Sequence, residues 1–330
     1  MRRREFISLL GSAAVAWPLA ARAQQSDRVR RIGVLMSYAE SDSDGAGFVA
    51  AFREGLQQLG WVEGRNIRID TRWAALDTKA MQQFAKELIA LQPDLILSQT
   101  TSTTAALLQQ TRIVPMIFAN IADPVGSGFI ASLPRPGGNV TGFVLSEPTM
   151  AGKWLELLTE IAPRVKRAAL LFNPATAPYA EYFLKPFKAA ALSSRVEAIA
   201  ATAHDVSQLE TVIAAQAREP NSGLIVMPDA FLNVHRVDVT SLAAHYHLPA
   251  IYPYRFYTEI GGLLSYGNDV LDNYRRAASY ADRILKGAKP SELPVQAPVK
   301  FELVINLKTA KALGLDVPLF FRQRADEVIE

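Results

Sequence analysis

The residues able to do chemistry in this chain stand at the ends of apolar runs. Ser98 to Thr104 reads S-Q-T-T-S-T-T, with hydroxyls at six of seven positions. A helix start needs one such residue as a cap. A run of them, beside the free N–H groups of a positive helix end, suits a carboxylate or another anion, and points to Thr100, Thr101 and Ser102. Asp123 and Asp229 each adjoin a proline after an apolar run, where a carboxylate can receive a ligand amine or cap a helix. Ser37, Tyr38, Asn120, Asn173 and Tyr266 occupy comparable positions. Tyr254 belongs to Y-P-Y-R-F-Y-T-E, whose aromatics can wall a planar ligand or pack an interlobe loop.

These groups hold a molecule more readily than they transform one. The four histidines, His204, His235, His245 and His247, form no H-E-x-x-H pattern, and His245-x-His247 is a weak metal signal. G-x-S-x-G and G-x-x-x-x-G-K-[ST] are absent, and G-N-V-T-G completes no dinucleotide fingerprint. The expectation is a binding site with no catalytic group, no metal and no cofactor. The rival from another class is a hydrolase or isomerase with Asp123 or Asp229 as base.

The elements that must position these residues alternate strand and helix. Short apolar runs at 31–36, 94–98, 114–119, 139–144, 167–172, 196–201 and 223–227 read as strands of parallel sheets, with a strand near an edge at 66–73. Helices are predicted after Ser41 through Leu59, then over 79–91, 103–110, 150–161, 179–192, 206–217, 230–245 and 270–286, with a short one near 125–132. Phe301 to Asn306 is a last strand. Two successive βαβ series predict an α/β protein of two Rossmann-like, doubly wound lobes, and in open sheets of this kind ligands lie beyond the strand carboxyl ends. The division expected is 29–143 for lobe 1 with 268–290 returning to it, and 144–267 for lobe 2 with about 295–330 returning to it.

The first 23 residues have a basic start, an apolar middle and Ala21-Arg22-Ala23 at the end, the pattern of a cleaved export signal; Arg3-Arg4 fits the twin-arginine type. The net charge of +3 comes from 35 basic and 32 acidic residues. The leader holds Arg2, Arg3, Arg4 and Arg22 against Glu5, so 35 − 4 and 32 − 1 leave 31 of each. A neutral mature chain gives no argument for a nucleic-acid partner. With no cysteine there is no disulfide, thiolate metal site or lipid-bearing Cys, and no later run is long enough to span a bilayer. A periplasmic location follows as the expectation.

Several stretches together resemble a known family. R-I-G-V-L-M-S, the block I-V-P-M-I-F-A-N-I-A-D-P-V-G-S-G-F-I with P-G-G-N-V-T-G-F, G-G-L-L-S-Y-G-N-D, and the closing E-L-V-I-N-L-K-T-A-K-A-L-G-L-D-V-P are similar to ABC transporter substrate-binding proteins, whose members include binders of tryptophan, tyrosine and phenylalanine. The resemblance implies a type I periplasmic-binding fold, two lobes joined by crossing segments, and no catalysis. It implies that Thr100-Thr101-Ser102 meets a ligand carboxylate, that Asp123 lies beside the cleft, and that Pro228-Asp229-Ala230 faces it from the other lobe. It also implies a monomer that delivers a small organic solute to an ABC permease with its ATPase; the alternative is a ligand-sensing domain feeding a membrane sensor. Aromatic-amino-acid binders tend to carry Thr-Pro-Ala-like and Thr-Asp-Asn-like segments where this chain has Thr-Ser-Thr-Thr and Pro-Asp-Ala, so the ligand itself is not carried over. Gly142 and Gly262 are expected as hinge residues.

Overall fold

The computed structural model describes residues 28–330; the export-signal reading falls on residues outside these. Five parallel strands form the first sheet: β1 (Arg30–Met36), β2 (Ile67–Trp73), β3 (Leu95–Ser98), β4 (Met116–Ile121) and β5 (Val140–Val144), in the order β2-β1-β3-β4-β5. The second holds β6 (Arg167–Phe172), β7 (Glu197–Thr202), β8 (Ser222–Val226), β9 (Ala250–Tyr252), β10 (Leu264–Asn268), β11 (Phe301–Asn306) and β12 (Glu327–Ile329), in the order β12-β11-β10-β9-β8-β6-β7. Only the β10–β11 pairing is antiparallel among them. The central strands are apolar throughout because helices cover both faces.

Helix boundaries follow local chemistry. Asp42 accepts from the backbone of Asp44 and Gly45 to start α1 (Ser43–Gln58), and Asp77 caps α2 (Thr78–Ala90) in the same way. Thr100 opens α3 (Thr101–Leu108) with a capping box. In the second unit α4 (Met150–Ile161), α5 (Ala180–Ser194) and α6 (Val206–Arg218) pack on the sheet. The helix expected over 230–245 is two, α7 (Ala230–Val234) and α8 (Arg236–His245), broken at His235. Short α9 (Arg255–Glu259) runs through the aromatic cluster, and α10 (Val270–Leu285) lies against α1 of the first unit. After β11, α11 (Leu307–Ala312), α12 (Leu319–Gln323) and β12 complete the chain.

The helix expected near 125–132 does not form. Its backbone follows irregular turns, with Ser127 N donating to Asp123 O and Phe129 N to Pro124 O, and Gly128 takes φ +71°. Two glycines beside a proline remove the helical preference that Val125, Phe129 and Ile130 would supply.

The chain passes between the sheets after β5, at Asn268-Asp269 before α10, and ahead of β11. These passages brace one another: Val144 N donates to Gln296 O at 2.9 Å, Gln296 N to Gly142 O at 3.0 Å, and Asp269 N to Lys300 O at 3.3 Å. Gly142 and Gly262 are explained here by close approach. A β-carbon on Gly142, at φ +153°, would collide with the Phe118 backbone, and one on Gly262 would meet the Tyr252 ring.

Candidate functional site

The carboxyl ends of both sheets face each other, and the residues singled out by sequence gather there in two tiers. One tier is committed to supporting the other. Ser37 donates from both N and Oγ to Gln99 Oε1 at 2.8 Å, and both residues are buried. Ala75 and Leu76, in left-handed backbone at φ +48° and +62°, donate to the carbonyls of Tyr38 and Ser37 and fix that loop. Holding two non-glycine residues there costs energy that the two hydrogen bonds offset.

The hydroxyl run divides in the same way. Ser98 pairs with Thr104 at 2.6 Å, and Thr100 with Thr103 in the capping box, which accounts for four of its six hydroxyls. Thr101 Oγ1 is buried without a hydrogen-bond partner among the described residues, while Ser102 is half-buried in the same first turn. On the adjacent strand Asn120 Oδ1 is likewise buried and unpartnered. Such groups are rare in native proteins, and each costs about 1–3 kcal/mol when left unmet. Asp123, half-buried, accepts from Gly126 N at 2.7 Å and caps the turn beneath it.

In the second unit Asp229 is 1% exposed and wholly engaged. Its carboxylate accepts from Asn173 N at 2.6 Å, from Phe231 N at 2.8 Å and from the Thr176 hydroxyl. Asn173 is spent as well, donating from Nδ2 to His204 O at 3.0 Å and accepting from Ala175 N at 2.9 Å. These two therefore shape the facing loop. Tyr266 stacks on Phe301, and its carbonyl accepts from Trp154 Nε1 at 2.7 Å.

Burial pushes the Asp229 carboxyl up to about 6 from its ordinary 3.8, against the lowering by its donors. A folded-state value above the unfolded one means that its contribution to stability is complete below pH 3.8 and is lost as pH rises through about 6. Asp229→Asn is therefore expected to flatten the decline in stability between pH 4 and 6. Denaturant midpoints across that range check it; equal slopes in both proteins would count against the assignment.

Between the tiers lies a set of tyrosines, the buried Tyr38, Tyr254, Tyr257 and Tyr274 and the half-buried Tyr179, each with its hydroxyl pKa raised by burial. They stay neutral at physiological pH and offer hydroxyl donors on an apolar wall. Tyr179 donates to Pro228 O at 2.7 Å.

The two units touch directly across this set. Asn233 Nδ2 donates to Tyr38 Oη at 3.2 Å, and Tyr257 Oη donates to Asn233 Oδ1 at 3.0 Å. Arg236 places Nη2 at 2.9 Å from Asp44 and Nη1 at 3.4 Å from Asp42. Strand-end reasoning missed Asn233, Arg236 and Tyr179, which stand a turn or more beyond their strands. The acidic pair Asp42 and Asp44 at a helix start was the available signal for a basic partner. Among the described residues no group of three or more His, Asp or Glu is placed to hold a metal, and no helix is long and apolar enough to cross a membrane.

Two parallel-sheet lobes, with polar loops converging where their strand ends meet, define a two-lobed solute-binding protein. Residues 32–329 match the family of ABC transporter substrate binding proteins, and the chain belongs to that family. It is thus the substrate-binding component of an ABC transporter. It is 26% identical over 293 residues to a tyrosine-binding protein of Clostridioides difficile (strain R20291), covering 88% of this chain and 82% of the relative. It superposes on an ABC domain in complex with L-Trp from Streptococcus pneumonia with TM-score 0.83 and 25% identity, over 91% of this chain and 99% of the other. A conserved domain protein from Vibrio cholerae gives TM-score 0.84 and 26% identity, over 91% and 100%. The sequence-based expectations of the family and of the type I fold hold.

Proposed function

We propose that this protein is the periplasmic receptor of an ABC importer, exported with loss of residues 1–23, and that it closes two lobes on an L-amino acid or a closely related carboxylate. The lobes we assign are 29–143 with 268–290, and 144–267 with about 295–330; the sheet membership of β11 and β12 and the packing of α10 against α1 support this division. The observation that carries the reading is the pair of buried, unpartnered atoms, Thr101 Oγ1 and Asn120 Oδ1, on neighbouring strand ends in the cleft. A hydroxyl at the start of α3 suits a carboxylate, and an amide oxygen with Asp123 beside it suits an ammonium. The buried tyrosines suit an apolar or aromatic side chain, as in the relatives whose names give tyrosine and L-Trp. Delivery to a membrane permease with its ATPase follows from the family role.

A thermal-shift screen of residues 24–330 tests this. A ligand at about 100 times its Kd adds about 2.7 kcal/mol to the folded state, several degrees in Tm. Stabilisation by L-Trp, L-Tyr, L-Phe or another amino acid is expected; silence across amino acids together with a response to a non-amino solute would overturn the cargo class.

Arg236 joins the lobes in this arrangement, so Arg236→Ala is expected to weaken ligand affinity about 3–10-fold by favouring the open form, an effect of about 1 kcal/mol. The loss should shrink in high salt, where the wild-type pair is screened. Calorimetric titration at two ionic strengths checks both.

A further inference from the structure

We propose that Asn273, near the start of α10, is a positioning residue for the cleft: it holds the β-bulge that turns Asn120 toward the ligand. The inference rests on the reading of Asn120 as a ligand contact. It assigns the orientation of that residue to a side chain buried behind the sheet.

Strand β4 does not keep its register to the end. Phe118 pairs with Gly142 and Ile121 with Val144, so Ala119 and Asn120 together oppose Phe143. The faces of the strand slip accordingly. Met116, Phe118 and Ile121 pack in one apolar cluster, and Ile117, Ala119 and Ala122 in the other, on the side of α1 and α10. In a regular strand Asn120 would share the face of Met116 and Phe118, because side chains alternate with period 2. A bulge inserts one residue that belongs to neither face, and bulges beside binding sites re-aim a side chain in this way. Asn120 is that residue here, half-buried on a strand whose other members are buried.

Asn273 fits the bulge with its two amide protons. Its Nδ2 donates to Ala119 O at 3.1 Å, within the bulge, and to Val144 O at 3.2 Å, where β5 ends and the chain leaves for the second lobe. The residue is 1% exposed, on a helix face otherwise built from Ala277, Ala278 and Ala281. Capping does not require it, since Asp269 accepts from Asp272 N and starts α10. Its Oδ1 is left without a partner among the described residues. A buried amide thus stands on an apolar helix face at the cost of one unmet oxygen, and the two carbonyls are what it serves. Gripping both with one group fixes β4 against β5 across the bulge, and with it the direction in which Asn120 leaves the strand.

Asn273→Leu keeps the side-chain volume and removes both donors. In the ligand-free protein, amide hydrogen exchange is expected to rise about tenfold or more over 119–123 and 144–146 and to stay unchanged along the rest of α10. In calorimetric titration with L-tryptophan, Asn273→Leu is expected to bind about tenfold more weakly than the wild type. The double variant Asn273→Leu/Asn120→Ala should bind within about twofold of Asn120→Ala, because a residue that acts through Asn120 then has nothing left to position. Unchanged exchange over 119–123, exchange raised along the whole of α10, or affinity losses that add would each overturn the proposal and leave Asn273 a packing residue. Asn273→Ala serves in both measurements if the leucine variant fails to fold. A wild type that ignores L-tryptophan would count against the cargo reading, and the exchange pattern then decides the role of Asn273 by itself.

Discussion

Trp154→Ala should destabilise the second lobe by about 3–5 kcal/mol, the range for removing a fully buried large aromatic side chain. Trp154 is 2% exposed, its ring lies 5.7 Å from that of Phe183, and its Nε1 donates to the Tyr266 carbonyl on β10 at 2.7 Å. The substitution removes ring burial and leaves that carbonyl without its donor, two costs that add. Trp154→Phe keeps most of the apolar contact and loses the hydrogen bond, so about 1–2 kcal/mol is expected. Urea denaturation of both variants separates the terms, and equal losses would show that the hydrogen bond, not the packing, dominates. Since β10 leads directly into Asn268-Asp269 between the lobes, the alanine variant should also show earlier loss of closure on heating.

Thr101→Val and Asn120→Ala are each expected to weaken ligand binding by about 10–100-fold, the effect of losing one hydrogen bond to a charged ligand group, about 1.5–3 kcal/mol. The ligand-free protein should respond differently. Thr101 Oγ1 has no partner to lose, so the valine variant should be as stable as the wild type or slightly more so. A role in folding alone would give the reverse, lower stability with unchanged affinity. Thr100 provides the contrast: Thr100→Val breaks the capping box of α3 and should cost about 1 kcal/mol of stability. Melting temperatures and titrations of the three variants test this division of labour between adjacent threonines.

That contrast also marks the limit of what the sequence made legible. Apolar runs and their spacing disclosed both βαβ series and the strands β1 to β8 and β11, because buried parallel strands and one-sided helices leave strong local patterns; β9 and β10 were not read as strands, β9 being only three residues long. The run Ser98 to Thr104 was visible as a hydroxyl cluster, but which hydroxyls are consumed depends on the turn joining β3 to α3. The break at His235 leaves no glycine or proline behind it. Asn233 and Arg236 gain their significance from Tyr38, Asp42 and Asp44, nearly 200 positions earlier, a pairing that only the folded chain creates. Asp229 was legible as a special position through Pro228-Asp229. Its commitment to Asn173 and Thr176 was not, because those donors lie in a loop more than 50 positions earlier, while Phe231 is its own helix start.

The central claim is that two lobes close on an amino acid. The chain has no cysteine, so Ser41→Cys and Val237→Cys, both exposed and flanking the Arg236 contact with Asp42, would carry the only two spin labels. The inter-label distance distribution, measured with and without the amino acid that gives the largest thermal shift, should be broad and long in the free protein and short and narrow at saturation. The same distribution in both states would contradict the account.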